Sequence, residues 1–236
     1  MNRRVFLSAL ALATIATGSA FAQNPLANKK FVAGLIATNA MNVASVRFDA
    51  TAGADRYAIA INYGLGAHQV SVTVGNKKPT VMTLCDGVSW IVRNGGKAQA
   101  AGDEGRDLER GIWMTPAGVY KAAQFPDAKA VLADTPGPNG TTYMTLTYTA
   151  VGVRLKATIT DKGLVDKVET LPEGAAPGAP VVTVSYGAYK DVDGIQFPTR
   201  ITEARDGKVV RDLTVTDIKP NAGFYVEPPA GLAKGK

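Results

Sequence analysis

"DVDGIQFPTRI", residues Asp191–Ile201, is the stretch on which the fold of this chain turns. Asp-Gly between extended runs marks a hairpin, because glycine accepts the positive φ that such a turn needs. Beyond the turn, Ile195, Phe197 and Ile201 fall on one face of a strand, with Gln196, Arg200 and Thr202 on the other. Pro198 has no N–H to give to a ladder, so a central strand should not carry it. Strand alternation with a proline inside predicts an edge strand or a bulge, a place where a sheet bends open.

The same period of two extends in both directions. Val182, Val184 and Tyr186 precede the turn, and Arg205-Asp206-Gly207 leads into a strand from Val209 to Ile218. Further upstream, Val151, Val153, Leu155, Ala157 and Ile159 alternate with Arg154, Lys156, Thr158 and Thr160. Asp161-Lys162-Gly163 then turns into Leu164–Leu171, and Met144, Leu146 and Tyr148 share a face. In the first half, Val46, Phe48 and Ala50 form one set, followed by Tyr57, Ile59, Ile61 and Tyr63. Val70, Val72 and Val74 form the next, and Val81–Cys85 and Val88–Val92 are joined by Asp86-Gly87. Asp134–Gly140 and Pro172–Pro180 read as loops. Ten or eleven short strands at this spacing predict an antiparallel meander rather than parallel βαβ units.

Helical spacing occurs in two places. Ala27–Asn42 places Phe31, Val32, Leu35 and Ile36 on one side and reads as one amphipathic helix. "DEGRDLERGIWM" is followed by Thr115-Pro116, a capping residue and a first-turn proline, and then by "AGVYKAAQF", predicting two short helices. A sheet of so many strands twists and curls. The expectation is an α+β fold: a large curved antiparallel sheet of about 10–11 strands wrapped over a few short helices, its concave face apolar.

The ends read as address and tail. Asn2-Arg3-Arg4, the short apolar run Val5–Ile15 and the small-x-small Ala20-Phe21-Ala22 make residues 1–22 a signal peptide, cleaved before Gln23. Arg3-Arg4-Val5-Phe6-Leu7 also fits a twin-arginine leader, and the Sec and twin-arginine routes both stand. No cysteine stands directly after the cleavage site, which argues against a lipid anchor. The expectation is a chain free in the periplasm, with one domain over 23–226 and a tail over 227–236.

The formal net charge of +6 is scattered rather than gathered in a stripe, which argues against nucleic acid as a partner. One cysteine allows no internal disulfide. That residue, Cys85, and the one histidine, His68, lack the local signature of a cysteine enzyme, and together they are too few to close a metal site. Asp86, Asp191 and Asp193 are explained by turn bonding, and "GLGAH" and "NGGK" lack the strand-to-helix setting of a phosphate loop. No metal and no cofactor is expected. The large side chains on the apolar faces are Phe48, Tyr57, Trp90, Trp113, Tyr148, Tyr186 and Phe197. They fill a core, or some of them line a cavity between sheet and helices.

The order of leader, short helix, meander, helical insert and second meander resembles the half-barrel of the LolA/LolB lipoprotein-carrier superfamily. "GIWMTPAGVYKAAQ" (Gly111–Gln124) and Val184–Gly223 further resemble the N-terminal, non-catalytic domain of secreted bacterial metallo-β-lactamase-fold hydrolases. The shared features are Tyr186 and Tyr189, Gly194–Pro198, and Asp212–Asn221, in that order. The His-x-His-x-Asp-His metal motif of those hydrolases is missing, so the chain looks like that N-terminal domain standing alone. The resemblance implies a non-enzymatic periplasmic protein binding a hydrophobic group such as an acyl chain or lipid, with the seven aromatics above as cavity-lining candidates. The alternative is an interaction module that docks a partner hydrolase or envelope protein through its sheet edge. Neither reading includes a membrane span.

Overall fold

The structure, a computed structural model, describes residues 24–171 and 181–232. The leader with its cleavage site, the Pro172–Pro180 loop and the last four residues of the tail lie outside the described residues. Among those described, no helix is long and apolar enough to cross a membrane.

One antiparallel sheet of 13 strands dominates the fold. Its first meander runs through β1 (Ser45–Ala52), β2 (Asp55–Asn62), β3 (Ala67–Thr73), β4 (Thr80–Cys85), β5 (Val88–Arg93) and β6 (Gln99–Ala100). The second runs through β7 (Val131–Pro136), β8 (Thr142–Ala150), β9 (Val153–Ile159), β10 (Val165–Thr170), β11 (Val182–Val192) and β12 (Ile195–Arg205). The last strand, β13 (Lys208–Pro220), lies between β12 and β1 and joins the two meanders. β6 and β7 form the outer edges and do not pair with each other, so the sheet curves without closing.

These two edge strands account for the difference between 13 and the ten or eleven expected. β6 is two exposed residues, and β7 takes in Asp134–Pro136, which the turn residues had marked as loop. Short polar edges are how sheets avoid edge-to-edge association, and they leave no alternation to read. Val151 was likewise expected inside a strand, but it forms the β8–β9 turn with Gly152, at φ 48°.

Three helices lie on the concave face. The first is shorter than its pattern: α1 spans Lys29–Thr38, capped by the Asn28 side chain and stopped by Asn39 in the left-handed conformation. Its buried face is Phe31, Gly34 and Thr38, while Ile36 is 71% exposed. The reason is close approach: a Cβ on Gly34 would stand 2.9 Å from the Cα of Gly163 in the β9–β10 turn. The helix rotates to present its glycine, which turns Ile36 outward. The other two, α2 (Gly102–Met114) and α3 (Pro116–Ala122), part at Thr115, whose Oγ1 accepts from the Gly118 N–H.

Pro198 lies in a strand that is central by order, yet its position is locally an edge. β12 pairs with β13 only from Arg200 to Arg205, and β13 pairs with β1 only from Thr214 to Pro220. Residues 195–199 therefore have β11 on one side and no strand on the other. The β11–β12 pairing also lapses between Gly187↔Arg200 and Tyr189↔Pro198, where Ala188 takes φ 50°. The sheet splits along a seam between the start of β12 and the end of β13, and the proline sits on that seam.

Candidate functional site

Beneath the seam is an apolar cavity of about 150 Å³. Both banks of the split contribute to it, with Phe197 and Pro198 from β12 and Val215 and Ile218 from β13. Phe48 and Ile59 extend the wall into the first meander, Thr38 supplies it from the end of α1, and Ala40 and Val43 from the segment that follows. That segment is pinned by Asn221, whose Nδ2 donates to the Asn42 carbonyl at 2.9 Å while its Oδ1 accepts from the Ala44 N–H at 2.8 Å.

Buried tyrosines fix the helices over the cavity. The last carbonyls of a helix have no partner within it, and burying them bare is costly. Here Tyr148 Oη donates to the Trp113 carbonyl at 2.7 Å and Tyr186 Oη to the Met114 carbonyl at 2.9 Å. The end of α2 is thus satisfied from two separate strands. Tyr120 Oη on α3 donates to the Gly163 carbonyl, and the half-buried Tyr189 ties β11 to β10 through the Val165 carbonyl, each at 2.6 Å. Burial pushes all four phenols well above their ordinary range, so they remain neutral donors. Tyr63 shares a 2.9 Å hydrogen bond with Thr115 Oγ1, and burial raises it to about 12.

Of the seven aromatics singled out in the sequence, Phe48, Tyr186 and Phe197 line the cavity. Tyr148 faces the same interior but is fully buried in solid packing. Trp113 packs edge-on against Phe125, with centroids 5.1 Å apart, and does not reach the space. Tyr57 lies beyond the cavity under the Arg211 guanidinium, 5.6 Å from it. Trp90 is on the other side of the sheet. Register places it in the row Arg47, Ala60, Gln69, Thr83, and there it joins Cys85 and Phe224 in a separate cluster covered by the chain after β13. Apolar residues at 90, 91 and 92 made its face unreadable from alternation.

The polar members of the wall were missed. His68, Glu203 and Arg211 all line the cavity. The signal was present, since Arg211 has the parity of Leu213 and Val215, and Glu203 that of Phe197 and Ile201. A charge on the inward side of a strand is more informative than an aromatic there. His68 Nδ1 lies 2.8 Å from the Leu108 carbonyl and donates to it, leaving Nε2 as the acceptor of a neutral ring. Burial, reinforced by the nearby Arg211 charge and opposed by the Leu108 bond, lowers its pKa to about 4.

His68 and Cys85 do not form a dyad. His68 shares the concave row of Ile61 and Leu84, while Cys85 follows Leu84 in the strand and faces the opposite way. Among the described residues no group of three or more His, Cys, Asp or Glu side chains is placed to hold a metal.

An unclosed antiparallel sheet curved over short helices, with an apolar space between them, is the LolA-like half-barrel. The crystal structure of a LolA superfamily protein from Nitrosomonas europaea is similar to it, with a TM-score of 0.51 and 14% identity over 80% of this chain and 93% of that one. At that identity the likeness is one of fold. No family model matches the sequence, and no curated protein matches it.

Proposed function

We propose that the chain is a non-enzymatic periplasmic binding protein for a hydrophobic group such as an acyl chain. The observation that carries this reading is the apolar cavity at the split seam, where the sheet is already parted. Size limits what the cavity as it stands supplies. An interior space near this volume takes one benzene-sized group. Burying about six carbons at roughly 0.8 kcal/mol each gives about 5 kcal/mol, a Kd on the order of 10⁻⁴ M. Tighter binding requires the banks to part and admit more of a chain. The reading of residues 1–22 as a cleaved leader supports the periplasmic address, and intact mass of exported protein beginning at Gln23 checks it.

Titration with a fluorescent fatty-acid probe, together with native mass spectrometry of protein taken from its own envelope, tests the binding reading. Saturable probe binding and a co-purifying lipid mass are the expected results. No probe binding and a bare protein mass would overturn it.

A second reading is favoured by the unpaired flank of residues 195–199, which offers backbone groups for strand addition. Together with the resemblance of Val184–Gly223 to the N-terminal domain of metallo-β-lactamase-fold hydrolases, it supports a docking module for such a partner. Co-purification of that hydrolase with lipid-free protein would decide for this alternative.

A further inference from the structure

The carrier reading accounts for the apolar wall and leaves the charged part of it without a role. Glu203 and Arg211 are cross-strand partners on β12 and β13, and both line the cavity. They end a chain of alternating charges. Arg110 meets Asp107 at 2.6 Å, and Asp107 meets Arg205 at 2.9 Å. Arg205 meets Glu203 at 3.1 Å, and Glu203 meets Arg211 at 3.3 Å. Three guanidiniums against two carboxylates leave one positive charge in excess.

That excess is available at Arg211. Glu203 is already shared between two arginines, and its contact with Arg211 is the longest in the chain. A guanidinium carries five N–H donors in a planar fork suited to carboxylate or phosphate. Among the described residues, Arg211 spends this capacity on one ion pair and on the face of Tyr57, 5.6 Å away. Its side chain is 30% exposed, so a charge brought to it meets less solvent screening than at an open surface. His68, the polar neighbour on that wall, is kept neutral by burial and brings no anion to compete for the guanidinium.

The lining is also long. Ile195 and Glu203 both face the cavity from one strand, and the eight steps between them span at most about 26 Å at the usual rise per residue. Phe197 and Ile201 lie between them. With the banks parted, this mostly apolar wall, with Arg211 beside Glu203 at one end, would match an amphiphile with a single chain.

We propose that Arg211 receives the anionic head of a single-chain lipid, a fatty carboxylate or a monoacyl phosphate, whose tail runs along β12 toward Ile195 beneath the seam. This rests on the carrier reading, and the test separates the two. Dodecanoate, dodecyl phosphate and dodecanol are titrated against the wild-type chain, Arg211→Met, which keeps an apolar stem, and Arg211→Lys, which keeps the charge without the fork. In the wild type at least one anion should bind about 10- to 100-fold more tightly than the alcohol, the size of a charge-assisted hydrogen bond. Arg211→Met should bring the anions down to the alcohol and leave the alcohol unchanged, and Arg211→Lys should keep a reduced preference. Whichever anion binds more tightly to the wild type identifies the head. Should Arg211→Met not fold, as judged by circular dichroism, the lysine variant decides: full anion preference there overturns the proposal. Equal binding of all three ligands by the wild type, or an equal loss for all three in Arg211→Met, overturns the headgroup site while leaving the carrier reading intact. Binding of none overturns both.

Discussion

The interior beneath β8 and β9 and the interior beneath β12, β13 and β1 are built from the same kinds of side chain and end in different states. Under β8 and β9, Leu146, Tyr148, Leu155, Ala157 and Ile159 are all 0% exposed. Under the seam, Phe48 and Ile201 are only partly buried and border empty space. The strands explain the difference. β8 and β9 pair without interruption from Met144↔Ile159 to Ala150↔Val153, so their side chains stand in close, regular rows. β12 and β13 share only the stretch from Arg200 to Arg205, and the rows diverge where pairing ends. Hydrophobicity draws residues inward, and continuity of pairing decides whether they fill the space they enclose.

The contrast is broken most directly at Tyr148. Tyr148→Ala should cost about 3–5 kcal/mol, as for a large aromatic removed from a filled core, and it also strips the Trp113 carbonyl of its donor. Denaturant midpoints measure this. A loss no greater than that of a cavity-lining residue would mean that the two regions are equally packed.

The next largest effect is one of pH. His68 has its pKa lowered from 6.5 to about 4, chiefly by burial. Below pH 6.5 the unfolded histidine takes up a proton that the folded one refuses, so stability falls as pH drops toward 4 and then levels off for this group. The shift corresponds to about 3 kcal/mol. Stability curves of wild type and His68→Leu between pH 7 and 4 should differ in slope by that component, and parallel curves would place His68 in a wetter site than the cavity wall.

Phe197→Ala follows. Although Phe197 is 8% exposed, it faces a space already partly empty, so the cost should be about 1–2 kcal/mol rather than that of a filled site. Affinity for a fatty-acid probe should fall with it. A loss as large as at Tyr148, with no probe binding by the wild type, would remove the cavity from any functional account. Arg200→Ala, smallest of the series, should leave the midpoint unchanged, because its pair with Asp212 at 2.9 Å lies in solvent. Strong destabilisation there would mean that β12 is read with the wrong face inward.

The inward set Ile195, Phe197 and Ile201 was legible because one strand face is apolar and the other polar. The eleven inner strands and the break at Thr115-Pro116 were legible for the same local reasons. What escaped has a common cause. β6 and β7 sit at the sheet edges, where nothing selects for alternation. The orientation of α1 depends on Gly163, far away in sequence. Trp90 lies under the chain after β13, so its side of the sheet is apolar too. The cavity itself follows from a register, Thr214 being where β13 passes from pairing with β12 to pairing with β1, and register between distant strands has no local signature.

That handover at β13 also shapes how the chain reaches its structure. The first meander can be complete, hairpin by hairpin, while β1 still lacks a neighbour on its outer side. The missing neighbour arrives only after the whole second meander has formed, through contacts between nearly opposite ends of the chain such as Val46↔Pro220. Contacts of such sequence separation form slowly, since a long loop must close before they are rewarded. In pulse-labelling hydrogen exchange during refolding, amides of Met144–Ile159 should therefore gain protection early. Those of Thr214–Lys219 should gain it last, in the step that brings the two banks of the seam together.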